Sequence, residues 1–506
     1  MSQVNQLMQN TFLVSYFLVL GLLCLYALHR YYLVFLFYKH KSRHFRPAVA
    51  PSMQPIVTLQ IPIFNERYVI GKLLDSIRRL DYPRDRLEVQ VLDDSTDDTP
   101  QLVQPLIEEM RREGINIHHL RRSERNGYKA GALAEGLAQS QGEFIAIFDA
   151  DFRPPPEFLK QILPYFRDDR VGMVQARWGY LNRDYSLLTR LQAMFLDAHF
   201  MIEHFARNRS GRFFNFNGTA GIWRKTCLNS AGGWQADTLT EDLDISYRAQ
   251  LQGWRFVFAP EIVVPSELPV EIVSFKTQQH RWAKGSIQTA AKLLHPILTS
   301  SYSWKVKLEA CFHLTANFSY LLMIFLSLAM LPSMLIRYQL GWHASLWIEL
   351  PMLLLATPSV AIFYITAQRL LGKKWYHSIL YIPMLMGLGI GLAVNNGRAV
   401  LEVLFGINSE FKRTPKHGME GNTGSWMNKR YWGKLDFSLV LEILMANYFL
   451  FTLHIALQHE LYIAVPFLLL FLFGFAYISL ISLLQGAGSF YRRRWQARTV
   501  LNNESG

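Results

Sequence analysis

EFIAIFDAD, residues 143–151, decides how the middle of this chain folds. An apolar, partly β-branched run ends abruptly in Asp149 and Asp151, which stand one residue apart. Such a run, too short for a helix and closed by polar residues, predicts a buried strand. The same shape recurs upstream in IVTLQIPIF (56–64) and EVQVLDDS (88–95), with INIHHL (115–120) as a weaker fourth. Helical patterns lie between them, ERYVIGKLLDSIRRL (66–80) and TPQLVQPLIEEMRREG (99–114). Strands alternating with helices predict a parallel α/β sheet. Ligands of such sheets bind beyond the carboxyl ends of the strands, where the unusual polar clusters of this sequence fall.

Outward from this region the chain becomes apolar at both ends. Of its 506 residues, 50% are hydrophobic, 14% aromatic and 18% charged, too apolar for an ordinary soluble protein. Residues 12–38 are long enough to cross a bilayer, and further apolar blocks run over 308–336, 344–367, 377–394, 437–456 and 461–484. About six spans are expected; because the basic segments on both sides of 377–404 read as cytoplasmic, either 377–404 is a re-entrant segment or tight hairpin or a neighbouring block is not a span. The first block has no basic stretch before it and no small-residue cleavage site after it, so it reads as an anchor and not a removed signal peptide. The net charge of +13 gathers beside apolar blocks, in KHKSRHFR (39–46), GKKW (372–375), KRTPKH (412–417) and YRRRW (491–495). That is the positive-inside pattern of a multi-pass inner (cell) membrane protein with residue 40 onward in the cytoplasm. No basic readout helix, zinc spacing or RNA-binding motif is present, which argues against nucleic acid as a partner. Cys24, Cys227 and Cys311 form no disulfide framework or metal clamp, as suits a reducing compartment. The expected organisation is an anchor (1–45), a cytoplasmic domain (46–300), membrane helices with a cytoplasmic loop at about 405–436 (301–490), and a basic tail (491–506).

The candidate chemistry sits at the strand ends. Asp93 and Asp94 close one strand, and Asp149 and Asp151 close another. Two carboxylates spaced D-x-D can share a hard divalent cation that also takes oxygens from a substrate phosphate, although acid pairs are common turn and cap residues too. LTEDLD (239–244) opens a helix, with Thr240 as N-cap; Asp242 is a candidate general base, and Glu241 and Asp244 compete for that role. FNFNGTAGIWRK (214–225) carries the turn signal Asn217-Gly218, read either as a hairpin or as a loop brought close to a sugar. RNGYKAGALAEGL (125–137) offers glycines and Lys129 at a helix start, a weak phosphate signal. In FKTQQHRWAKGSIQT (275–289), Gln278, Arg281 and Trp282 share one helix face and present an amide, a cationic fork and a flat ring beside a membrane segment. Trp282 also fits an interfacial aromatic belt.

Taken in order, DDS, FDAD, TED and QQHRW on one α/β frame resemble the processive family 2 glycosyltransferases of GT-A fold, which include the cellulose and hyaluronan synthases. QARWGYLNRDYSLLTRLQ, FNFNGTAGIWR and AGGW (231–234) look most similar to the cellulose synthase-like mannan and glucomannan synthases and their bacterial relatives. The resemblance covers roughly residues 50–300. It implies a GT-A (Rossmann-like) cytoplasmic domain embedded in an α-helical multi-pass membrane protein. By that likeness Asp93, Asp94, Asp149, Gln278, Arg281 and Lys129 bind a nucleotide-sugar donor, UDP-glucose or GDP-mannose. Asp149 and Asp151 would hold Mg2+ or Mn2+, Asp242 would be the base, and Trp282, Glu241 and Asn217 would face the acceptor. SEFKRTPKHG (409–418) lies where the family has a gating loop, which carries Thr414 and Lys416 into the site. The implied reaction is inverting transfer of a hexose to a growing β-linked polysaccharide. The alternative is a β-glycosyl membrane lipid of diacylglycerol or ceramide type; Asn317, Tyr320, Asn395, Asn396 and Asn447 hint at a polar path for a glycan instead. A binding-only receptor or transporter would need intramembrane charges and repeated halves, and the sequence offers neither.

Overall fold

The computed structural model of the chain describes residues 3–43, 54–341, 346–429, 431, 433 and 436–504. Seven strands form one sheet: β1 (Val57–Ile63), β2 (Leu87–Asp93), β3 (Asn116–Arg121), β4 (Phe144–Ile147), β5 (Val171–Tyr180), β6 (Gly221–Arg224) and β7 (Arg255–Ser266), in the order 3-2-1-4-6-5-7. The first four are the strands expected from the sequence. β1, β2 and β4 are buried almost throughout because helices cover both faces, which is why they read as continuous apolar runs. The sheet is not wholly parallel as expected: β6 runs antiparallel to both β4 and β5. β5 and β7 pair in parallel.

Ile63 stands opposite Asp93, and Gln60 opposite Ile147. The carboxyl ends of β1, β2 and β4 therefore open onto one edge, where Asp94, Asp149 and Asp151 follow. Three non-glycine residues near this edge, Asn65, Tyr128 and Ala220, hold left-handed backbone angles. Strain of this kind persists only where surrounding structure fixes it, commonly at functional sites.

Among the described residues, five helices are long and apolar enough to cross a membrane, so the chain is a multi-pass membrane protein. A further helix, Leu346–Leu370, has 25 residues. The 377–404 region is no hairpin. It runs as Ile382–Gly391 and Ala393–Leu404 with the break at Leu392, within one candidate span, Trp375–Leu404. Gly387 and Gly391 let this span touch the last helix, Val465–Glu504: a Cβ on Gly391 would lie 2.3 Å from the Gly474 carbonyl oxygen. Small residues allow such close crossings in membranes. The basic tail expected from residue 491 continues that last helix as far as Glu504, and the expected boundary at residue 45 lies outside the described residues. The hinted polar path is only partly formed. Asn447 is exposed and its amide donates to the Ile443 carbonyl within its own helix, whereas Asn395 donates to the Lys276 carbonyl and to Asn396.

The Q-x-x-R-W segment lies in the helix Ile272–Thr299, which two buried ion pairs fasten to the membrane helices. Lys276 reaches Glu442 at 2.5 Å, and Lys284 reaches Glu402 at 2.8 Å. Removing one partner of a buried pair strands the other charge, at a cost of about 3–5 kcal/mol. Glu402→Ala should accordingly lower the melting temperature of the detergent-solubilised protein sharply, and Lys284→Met with Glu402→Leu should restore much of it; an unchanged single variant would show that the pair carries no such weight.

Candidate active site

A cleft at the carboxyl edge of the sheet gathers residues from distant parts of the chain. Asp94, Lys129, Asp149, Asp151, Asn217, Glu241, Asp242, Gln278, Arg281, Trp282, Thr414 and Lys416 all line it. Of the residues singled out in the sequence, Asp93 does not. It is buried, with one carboxylate oxygen accepting from the Ser95 backbone N–H at 2.8 Å and the other 2.8 Å from His119 Nε2. These bonds lower its pKa in spite of burial, and they make Asp93 a support for the β2 turn and not a group facing the cleft. Its neighbour Asp94 faces the cleft and accepts from Arg122 Nε at 2.8 Å.

Lys129 ties three elements together. Its ammonium donates to Asp149 at 2.6 Å and to the Gly218 carbonyl at 2.9 Å, and Glu241 lies 3.9 Å away. Burial disfavours its charge, but the facing carboxylates of Asp149 and Glu241 outweigh that and raise its pKa. On the other side, Asp151 accepts from Lys416 at 2.7 Å. The D-x-D pair is thus held by two lysines, one from each flank.

Asp242 opens the helix Glu241–Leu251. Burial, then the charge of Glu241, pushes its carboxyl up to about 7, with Lys129 and Arg281 pulling the other way. A carboxyl tuned to that range suits proton transfer near neutrality. Asp244, its rival in the sequence, is fully buried against Arg248 at 2.8 Å and Lys292 at 2.9 Å, so its part is structural. Thr240 occupies the N-cap position but its hydroxyl makes no cap bond. The backbone there is hemmed in by Gly285, whose added Cβ would lie 2.5 Å from the Thr240 side chain.

Residues 411–418 cross the cleft as a strap. Arg413 grips Glu66 through two bonds of 2.8 and 2.6 Å, and the Glu267 carboxylate accepts from the Gly418 N–H at 2.7 Å. Burial raises Glu267 to about 7, against the pull of Lys416. Phe411 stacks on Tyr128 and lies under the Arg281 guanidinium at 4.7 Å. Four donors in the cleft, Arg125 Nε, Trp178 Nε1, Arg281 Nε and the Thr414 hydroxyl, are buried with no hydrogen-bond partner among the described residues. Leaving such groups unpaired is costly unless a ligand satisfies them.

Several of these residues carried no signal in the sequence. Glu66, Glu267 and Arg413 matter only through contacts made across the strap. Beneath the 214–218 loop, Asn217 is held between His199 at 3.0 Å and His204 at 2.5 Å, both on a π-helical turn, His199–His204. Such turns often mark functional sites.

Two aspartates on one strand-end turn are a fitting donor set for a hard cation that completes its shell with phosphate oxygens and water. Among the described residues no cluster of three or more His, Cys, Asp or Glu offers a self-sufficient metal site, so the diphosphate would have to supply ligands.

Residues 54–285 match the family described as "Glycosyltransferase like family 2". Glucomannan 4-beta-mannosyltransferase 1 of Oryza sativa subsp. japonica is 43% identical over 277 residues, covering 54% of this chain and 53% of that protein. Glucomannan 4-beta-mannosyltransferase 2 of Arabidopsis thaliana is 44% identical over 266 residues, covering 52% and 50%. The chain thus spans about half the length of the curated relatives it matches. A mannosyltransferase of Pyrobaculum calidifontis, solved in complex with GDP-Man and Mn2+, shares the fold with a TM-score of 0.52 at 21% identity, over 78% of this chain and 99% of that one.

Gly218 has a φ of +77°, and a Cβ there would lie 3.0 Å from the Asp242 carboxylate and 3.4 Å from the Lys129 ammonium. Misplacing a reacting group by about 1 Å can cost roughly 10²-fold in rate, and an alanine in this left-handed conformation strains the backbone, so Gly218→Ala should cut turnover in this cleft by about that factor and lower the melting temperature as well. Turnover equal to wild type would detach the 217–218 loop from the chemistry.

Proposed function

Because residues 54–285 are a glycosyltransferase family 2 domain, we propose that the protein transfers a hexose, with inversion, from a nucleotide-diphosphate sugar to the growing end of a β-linked glucomannan- or mannan-type polysaccharide. The observation that carries this reading is the convergence of a tuned carboxyl, Asp242, with the unpaired donors of Arg281 and Thr414 in one cleft beside a D-x-D pair. The names of the relatives favour mannose from GDP-mannose over glucose from UDP-glucose as the donor to test first. The positive-inside distribution supports a cytoplasmic position for the domain.

In the proposed reaction Asp242 takes the proton of an acceptor hydroxyl held against Trp282, Glu241 and Asn217. The oxygen attacks the anomeric carbon from the face opposite the diphosphate. The bond from that carbon to the phosphate oxygen breaks, and its electron pair leaves on the nucleoside diphosphate. Arg281 supplies a planar fork for the phosphate oxygens, and Gln278 and Thr414 complete the donor contacts. A divalent cation on Asp149 and Asp151 would offset charge on the departing diphosphate. Positioning and charge stabilisation account for most of the acceleration in such a scheme.

With the strap seated, the cleft has a volume of about 150 Å3. Sites for drug-sized ligands measure about 300–1,000 Å3. Donor entry on this account requires residues 411–418 to lift, breaking Lys416–Asp151 and Arg413–Glu66, and the strap then returns over the bound diphosphate.

The test is replacement of the proposed base. Since general-base catalysis contributes about 10²–10⁴-fold, Asp242→Asn should lose at least about 10²-fold in transfer while still binding GDP-mannose or UDP-glucose in a calorimetric titration. Only the deprotonated carboxylate can act, so wild-type turnover should rise as pH is raised through about 7, and the residual activity of the variant should lose that rise. Transfer by Asp242→Asn at the wild-type rate would refute this assignment.

A further inference from the structure

A second cavity, of about 410 Å3, shares no lining residue with the catalytic cleft. Four arginines, Arg43, Arg209, Arg212 and Arg255, line it together with Trp254 and Tyr302, and no acidic residue does. Arg255 is paired with Asp168. Arg43 and Arg212 form no ion pair with any carboxylate among the described residues. Arg43 donates to the Arg209 carbonyl at 3.3 Å. Arg212 is 8% exposed and donates to the Ser210 carbonyl at 3.2 Å and to the Tyr32 hydroxyl. Its Nε is buried and has no hydrogen-bond partner among the described residues. A buried guanidinium without a counter-charge is expensive, and an anion that supplied both charge and acceptors would offset the cost.

The cavity also lies where a membrane surface would be. Arg43 follows directly on the N-terminal span, Val4–His40, whose last turns expose Phe35 and Tyr38 beside Lys39 and Lys41. The helix Trp304–Thr315 is bonded to that span through Thr315 to Tyr26 at 3.0 Å and Glu309 to His29 at 3.0 Å. Its first turn carries exposed Trp304 and Lys305, two and three residues after Tyr302 of the cavity. Aromatic side chains mixed with cations are the residues that seat at a headgroup layer.

From this placement we propose that the arginine-lined cavity binds the phosphate of an anionic membrane phospholipid headgroup, with Arg212 and Arg43 as its principal ligands. The aromatic walls take the glycerol portion, and the acyl chains leave toward Trp304. A phosphate oxygen accepts from Arg212 Nε, a donor left unsatisfied among the described residues. The proposal does not depend on the identity of the transferred sugar.

The test uses the full chain reconstituted in nanodiscs of phosphatidylcholine alone or mixed with phosphatidylglycerol, with tightly retained lipid identified by native mass spectrometry. Wild-type protein should retain phosphatidylglycerol above its share of the bilayer. One surface cation contributes about fivefold to anionic-lipid binding, so Arg43→Gln and Arg212→Gln should each reduce that enrichment by about this factor. Arg43 is exposed, so Arg43→Gln carries the test alone where Arg212→Gln fails to fold. Inorganic phosphate should not displace the lipid, whereas short-chain phosphatidylglycerol should. Equal retention of both lipids, unchanged enrichment in Arg43→Gln, or displacement by inorganic phosphate as effective as by the short-chain lipid would each overturn the proposal.

Discussion

Lys284 is the contact on which the arrangement depends. Its ammonium, almost completely buried, meets Glu402 at 2.8 Å, the Ile407 carbonyl at 2.6 Å and the Ser409 hydroxyl at 2.7 Å. One side chain thus joins the Q-x-x-R-W helix, the broken membrane span and the root of the strap. Arg281 and Trp282 stand on the same helix three and two residues earlier, so the groups proposed to hold the diphosphate and acceptor share a fixed point with the segment that must move over them. The second pair, Lys276 with Glu442, prevents the other end of this face from pivoting. A site split between an α/β sheet and a membrane bundle needs such joints, because reacting groups misplaced by about 1 Å lose much of their effect.

Charge balance within the cleft follows from the same geometry. Carboxylates from β4, from the Glu241–Leu251 helix and from the loops after β1 and β7 would repel one another if left bare. Lys129, Arg413 and Lys416 neutralise them within the cleft. A donor bringing a diphosphate and a cation would exchange these internal pairs for new ones, with the strap ions as the movable members. Asp242, like Glu267, is held high: burial and Glu241 raise its carboxyl, which leaves it able to accept a proton instead of serving as a permanent anion.

The sequence made the sheet's first half and most of the cleft legible. β1, β2 and β4 are buried runs that end in acids, and their pattern is local. β6, GIWR, is only four residues long and follows the turn signal Asn217-Gly218, so its stretch reads as a hairpin or strand end without indicating which strands it joins. The antiparallel pairing of β6 with β4 is set by tertiary contacts that leave no periodic mark. Asp93 and Asp94 look equivalent as letters, yet strand alternation sends one into the fold and the other into the cleft. Arg413 with Glu66 and Lys416 with Asp151 join residues hundreds of positions apart across several membrane helices. No spacing rule reaches that far, which is why Glu66 and Glu267 went unnoticed while Thr414 and Lys416 entered through resemblance alone.

The central claim is that the cleft extends a β-linked polysaccharide, and product size tests it most directly. Protein purified in detergent would be given labelled GDP-mannose or UDP-glucose with Mg2+ or Mn2+ and a lipid extract, and the products separated by size and solubility. A high-molecular-weight polymer, degraded by a β-mannanase and made from GDP-mannose, is the predicted result. A single labelled sugar that partitions into organic solvent would contradict the account and assign the membrane helices to a lipid acceptor.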